Sequence, residues 1–194
     1  MTLRSAALIA LALPLAGCIS FGDKPPPTLM TLTPATPVAP GAARSVDPAR
    51  AVQVNTPTVP QALASLRVPV QASDTGVAYL KDAQWSEAPN RLFRTLLSEV
   101  IAGRTGRAVL DPRTLTITPG IRIGGSLKAF GLDARSNSVV VTFDGTMARG
   151  DAAVELRRFE ARVPVAAPDA ANVAPALNQA ANQVATEVSD WVGR

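Results

Sequence analysis

The sequence predicts an α+β domain, a two-layer sandwich in which two amphipathic helices pack on a mostly antiparallel sheet. Three observations carry this. Leu92, Phe93, Leu96, Leu97, Val100 and Ile101 recur at helical spacing and make one apolar stripe. Between residues 121 and 165, three stretches alternate apolar and polar side chains and are joined by turn-rich links, the pattern of a half-buried sheet. A second helical stripe, Val173, Leu177, Ala180, Ala181, Val184, Val188 and Trp191, closes the chain. Helices before and after a run of antiparallel strands give the α+β order.

Taken in order, the chain opens on Arg4 and an apolar run from Ala6 to Leu15, then Leu15-Ala16-Gly17-Cys18. A basic start, a short apolar run and small residues at the cut are the layout of an export signal. Cys18 is the single cysteine of the 194 residues. A thiol just past such a cut is the acceptor of a diacylglyceryl group, so residues 1–17 are expected to be a lipoprotein signal peptide and Cys18 the lipidated first residue. A spanning helix needs ~20 apolar residues, about twice what is here. Ile19 follows the cysteine where an Asp would retain the protein at the inner membrane, so the outer membrane, on its periplasmic face, is the expected anchor site. Residues 18–28 contain Pro25-Pro26-Pro27 and read as an extended tether. The ten residues from Ile19 to Thr28 reach at most ~33–36 Å, which keeps the domain, residues 29–194, close to its membrane.

Within the domain, Leu29 to Leu32 is expected as a short strand, and Pro34 to Pro48 as a loose surface stretch. Ala51–Val54, Leu66–Val70 and Val77–Leu80 read as further strands, Pro69 suggesting an edge or bulge. The first helix is expected to start at a Ser86 cap with Pro89 in its first turn and to stop at Gly103. A strand at 108–110 precedes the main sheet. There Ile121, Ile123, Gly125, Leu127 and Ala129 share one face, and Val139, Val141 and Phe143 alternate next. Gly145 is expected to weaken the far end of that strand. In the last strand the phase changes between Leu156 and Phe159, which predicts a β-bulge near Arg157-Arg158. Asn172, or alternatively Asp169, caps the closing helix.

Composition excludes several chemistries. The chain has no histidine, so the usual general base and the commonest metal ligand are missing. Cys18 is consumed by lipid, leaving no thiolate for a metal or a nucleophile. Gly124-Gly125 lacks the Lys-Ser/Thr of a phosphate loop. Asp74, Asp82, Glu87, Asp133, Asp144 and Glu160 show no spacing that favours a catalytic dyad, and Arg157, Arg158 and Arg162 read as solvated charge. Loss of Arg4 with the signal leaves 18 basic against 15 acidic side chains, a weak excess. No catalytic residue, cofactor, metal or nucleic-acid partner is expected, and the chain reads as a binding or coupling module.

Several stretches carry a resemblance. Tyr79-Leu80-Lys81-Asp82-Ala83-Gln84-Trp85-Ser86-Glu87-Ala88-Pro89 and the helix after it resemble the ABC-type transport auxiliary lipoproteins. So do Gly125-Ser126-Leu127-Lys128-Ala129-Phe130, Arg158-Phe159-Glu160-Ala161 and the closing helix ending in Trp191-Val192. Leu29-Met30-Thr31-Leu32 departs from the family where an aromatic residue is usual. The resemblance implies an outer-membrane-anchored partner of an MCE-domain periplasmic protein and its ABC permease and ATPase, moving phospholipids or other hydrophobic molecules. It leaves Trp85 as a core or a partner contact. A different class also fits the residues: a lipoprotein that docks on and activates an envelope-building enzyme. Sheet edges left by Pro60 and Pro69 suggest a homo-oligomer.

Overall fold

The computed structural model describes residues 28–41, 46–111 and 117–193. The expected signal peptide and Cys18 lie outside the described residues. Among the described residues one sheet holds β1 (Val52–Val54), β2 (Arg67–Gln71), β3 (Val77–Gln84), β4 (Val109–Leu110), β5 (Ile121–Asp133), β6 (Ser138–Arg149) and β7 (Glu155–Pro164). Helices α1 (Pro89–Thr105) and α2 (Ala170–Gly193) cover one of its faces.

β5 is the axis of the sheet. On one side it pairs antiparallel with β6 along its whole length, Ile121 opposite Arg149 and Asp133 opposite Ser138, and β7 pairs with β6 beyond. Its other side is shared. β1 runs parallel to the beginning of β5, with Val52 opposite Ile121, and β2 runs parallel to its end, with Val70 opposite Leu132. β3 returns antiparallel on β2, and β4 lies parallel on β1. The sheet is therefore mixed but mostly antiparallel, and the two-layer α+β arrangement stands.

Side-chain period decides what each layer buries. Ile121, Ile123 and Leu127 of β5 and Val139, Val141, Phe143 and Met147 of β6 face the helices. The α1 stripe, from Leu92 to Ile101, meets them. Small residues along α2, Ala180, Ala181 and Ala185, let its backbone lie close to the sheet. Aromatic residues are only 4% of the chain, yet they are concentrated. Trp85–Phe130 (5.2 Å), Phe130–Phe93 (6.2 Å), Phe93–Phe143 (5.4 Å), Phe143–Phe159 (6.4 Å) and Phe159–Trp191 (5.4 Å) form one unbroken row through the core. Gly145 lies under this row. A Cβ there would stand 3.1–3.3 Å from the Phe143, Phe159 and Trp191 rings, so β6 runs on through it to Arg149.

Several expectations are corrected. Helix α1 has Ala88 at its cap with no side-chain bond; the Ser86 N–H donates to the Met30 carbonyl instead. Its end is set by Gly106, at φ 69°, not by Gly103. Gly103 serves packing, because a Cβ would fall 2.2 Å from the Thr36 carbonyl oxygen. Helix α2 takes the Asp169 start, its carboxylate accepting the Asn172 N–H at 2.9 Å. The strand at 29–32 contracts to a single bridge, Met30 to Trp85.

The bulge is also elsewhere. β7 pairs with β6 without interruption, and Leu156 simply faces away from the helices, 77% exposed. The register shifts instead in β5 between Leu127 and Ala129. Lys128 is the extra residue there, so Phe130 and Leu132, not Ala129, continue the buried face.

After Met30 the chain straps the helix layer. The Thr33 N–H donates to Asn178 Oδ1 at 2.8 Å and the Ala35 N–H to Asn182 Oδ1 at 2.7 Å, while Asn182 Nδ2 donates to the Thr33 carbonyl at 2.9 Å. The end from which a tether would pull is thus fastened to α2 side chains before it reaches α1 at Gly103.

Candidate docking surfaces

The face of the sheet opposite the helices carries the β5, β6 and β7 side chains of the other phase. At the end near Asp133 it is hollowed into a trough of about 240 Å³. Ala129, Gly131 and Val140 form the floor, with Pro69 beside them. The 3-10 turn Gln61–Leu63 rises as one wall and Val77, 49% exposed, stands on the rim. Gly131 is required by the crossing of β2, since a Cβ would be 2.2 Å from the Pro69 carbonyl oxygen. The β5 bulge puts Lys128 on the rim beside this floor.

Asp133, Glu160 and Arg162 on the rim belong to a ladder of ion pairs that continues along this face of the sheet. Arg158 grips Asp144 with two bonds, 2.6 and 2.8 Å, and its guanidinium holds that carboxyl below its ordinary range. Glu160 accepts the Thr142 hydroxyl at 2.8 Å and Arg162 Nε at 2.9 Å, and the Thr142 bond first, then Arg162, lowers its pKa. Asp133 accepts Arg135 at 3.0 and 3.2 Å, which depresses its pKa, and Arg162 approaches its other side at 3.8 Å. Arg135 also pairs with Asp74. Three of the six sequence candidates, Asp74, Asp133 and Glu160, are therefore brought together around Arg135 and Arg162. The shifts of Asp133 and Glu160 are downward, which keeps these two carboxylates ionised. Asp133 and Glu160 are thus taken up in ion pairs with arginine. The arginine cluster of the sequence is dispersed: Arg158 and Arg162 go to separate carboxylates, and Arg157 lies 5.0 Å over the Phe159 ring. Among the described residues, no group of His, Cys, Asp and Glu could hold a metal ion. Nor is any described helix long and apolar enough to cross a membrane.

Trp85 sits on the other side of the sheet, 0% exposed and packed on Phe130. The trough itself was not foreseen from sequence. Its signal was present in β5, where the apolar phase moves from Ile121, Ile123 and Leu127 to Phe130 and Leu132; the wall from residues 61–63 had none.

Among the described residues three strands have a single partner, the two-residue β4 on β1 and two longer ones. β7 pairs only with β6, and β3 only with β2. The β7 edge is studded with Glu155, Arg157, Arg158, Glu160 and Arg162, charges of the kind that discourage indiscriminate strand addition.

The domain is thus an α+β sandwich with one sheet face covered by helices and the other left to a shallow trough and a row of ion pairs. The chain is a member of the ABC-type transport auxiliary lipoprotein family: the family model for the ABC-type transport auxiliary lipoprotein component matches residues 30–189. Membership makes it a lipoprotein of the cell envelope associated with an ABC transport system. The fold is shared with solved structures. One is a Xanthomonas campestris protein of the DUF330 family, at TM-score 0.62 and 20% identity over 86% of this chain and 91% of that one. Another is an uncharacterized protein, at TM-score 0.61 and 16% identity over 75% and 91% of the two chains. No curated protein matches the chain by sequence.

Proposed function

We propose that this protein is the outer-membrane-anchored auxiliary lipoprotein of an MCE-type ABC transport system that moves phospholipids or other hydrophobic molecules across the envelope. The observation that carries it is the family match over residues 30–189, joined to a single cysteine that follows a basic start and a short apolar run. In this reading residues 1–17 are removed and Cys18 carries a diacylglyceryl group and a further acyl chain such as palmitate. Residues 18–28 are the tether, and residues 29–194 form one domain on the periplasmic face. Two or more chains hold a membrane stably where one does not. The domain performs no catalysis. It presents its bare sheet face and strand edges to an MCE-domain protein and, through it, to the permease and ATPase, and it self-associates through those edges.

The test is transfer of labelled phospholipid between inner and outer membranes in cells that lack the chain. Transfer falls on deletion, returns with the wild-type chain and does not return with Cys18→Ser. Unchanged transfer, with loss of a cell-wall synthase activity instead, would move the protein to the other class of envelope partner.

A further inference from the structure

We infer that the trough on the bare sheet face seats one apolar side chain of a partner protein segment, and that an acidic residue beside that side chain pairs with Lys128. The inference rests on the docking role proposed above and names the surface and the recognition chemistry.

Size selects the occupant first. About 240 Å³ exceeds the ~150 Å³ cavity that takes up benzene but falls short of the ~300–1,000 Å³ of sites that enclose small molecules. It accepts one aromatic or branched aliphatic side chain and cannot enclose a lipid with two acyl chains. A single buried anchor in a pocket is how protein interfaces concentrate their affinity. Gly131, Ala129 and Pro69 keep the floor low, and Val77 extends the apolar surface onto the rim.

Charge selects it next. Asp133, Glu160 and Asp144 are each held by an arginine and, with lowered pKa values, stay ionised and occupied. Lys128 has no carboxylate within 4.0 Å among the described residues; its charge reaches Asp144 only through space, and Arg158 already grips that group. The rim therefore offers an unmatched positive charge next to an apolar seat. That Lys128 is the bulged residue of β5 is a separate observation. A bulge interrupts an otherwise regular β5–β6 ladder, between Leu127 and Ala129, to swing this side chain to the rim, and bulges recur where a side chain is re-aimed beside a site.

The experiment places the photo-crosslinker p-benzoylphenylalanine at Val77 in the full-length chain in its own cells, with Thr95 on the exposed side of α1 as control. Val77 yields an adduct that Thr95 does not, to one protein, at a segment with an acidic residue within two positions of an apolar one. Lys128→Glu lowers the yield roughly tenfold, because it opposes like charges across the contact, while circular dichroism stays that of the wild type. Replacing the partner's acidic residue by lysine restores the adduct in the Lys128→Glu background. An adduct of phospholipid mass, an adduct to a second copy of this chain, no adduct at Val77, or a yield indifferent to Lys128→Glu each overturns the inference. A charge-swap rescue with a protein foreign to any transporter would leave this inference intact and remove the transport assignment; a transporter component that binds without reacting at Val77 would do the reverse.

Discussion

Removing the Trp85 ring tests how the aromatic row holds sheet to helix. The ring is fully buried, stands 5.2 Å from Phe130, and its backbone is clamped between the Met30 bridge and the Leu66 carbonyl. Truncating a buried Trp to Ala costs ~3–5 kcal/mol from lost contacts and the cavity left behind. Its indole N–H finds no acceptor among the described residues, and a buried unmade bond of that kind costs ~1–3 kcal/mol, which the truncation relieves. The two oppose, so Trp85→Ala is expected to cost about 3 kcal/mol, the lower end of the first range. In a domain of this size that lowers Tm by roughly 6–12 °C. Trp85→Phe keeps a ring against Phe130 and removes the unpaired N–H, so it is expected to cost less than ~1.5 kcal/mol. Far-ultraviolet circular dichroism on heating the mature chain measures both. An unchanged Tm for Trp85→Ala, or a Trp85→Phe loss as large as the Trp85→Ala loss, would refute the reasoning.

Other outcomes follow from the same structure. Asn182→Ala breaks the clasp on Thr33 and Ala35, each bond contributing ~0.5–1.5 kcal/mol, so hydrogen exchange at residues 33–36 should rise well before global unfolding. Gly125→Ala must place a Cβ 2.0 Å from the Asp144 carbonyl oxygen at φ 139°, and should cost more than ~2 kcal/mol in chemical denaturation. Asp133, Asp144 and Glu160 have folded pKa values below their unfolded ones, so their contribution is complete above the ordinary carboxylate range and is lost as pH falls through the folded values. Urea midpoints should therefore decline from about pH 5 downward, and Asp133→Asn should make that decline shallower; a slope identical to wild type would remove Asp133 from the account.

How far the fold was legible depends on whether a residue's signal was local. The α1 and α2 stripes, and the alternation of Val139, Val141 and Phe143, state their own period and buried face, and the layers follow from them. Cap assignments were weaker, because Ser86 looks like a cap in sequence while its N–H is claimed by Met30, a residue 56 positions away. The phase change at Leu156 misled for a different reason. Apolar side chains are tolerated singly at a surface, so an exposed Leu156 mimics a slip that the β6–β7 ladder does not contain. The β5 slip was written as plainly, in Leu127 followed by Phe130, but assigning Ala129 to the buried face concealed it. The wall of the trough could not be read, since it arises where residues 61–63 fold over strands that are remote in sequence.

Affinity purification of the full-length chain from gently solubilised membranes identifies the partner. An MCE-domain protein and the ATPase of its transporter are expected with the wild-type chain, in amounts that fall sharply for Lys128→Glu and for Cys18→Ser. Recovery of a cell-wall synthase in their place, with no transporter component present, would contradict the transport assignment.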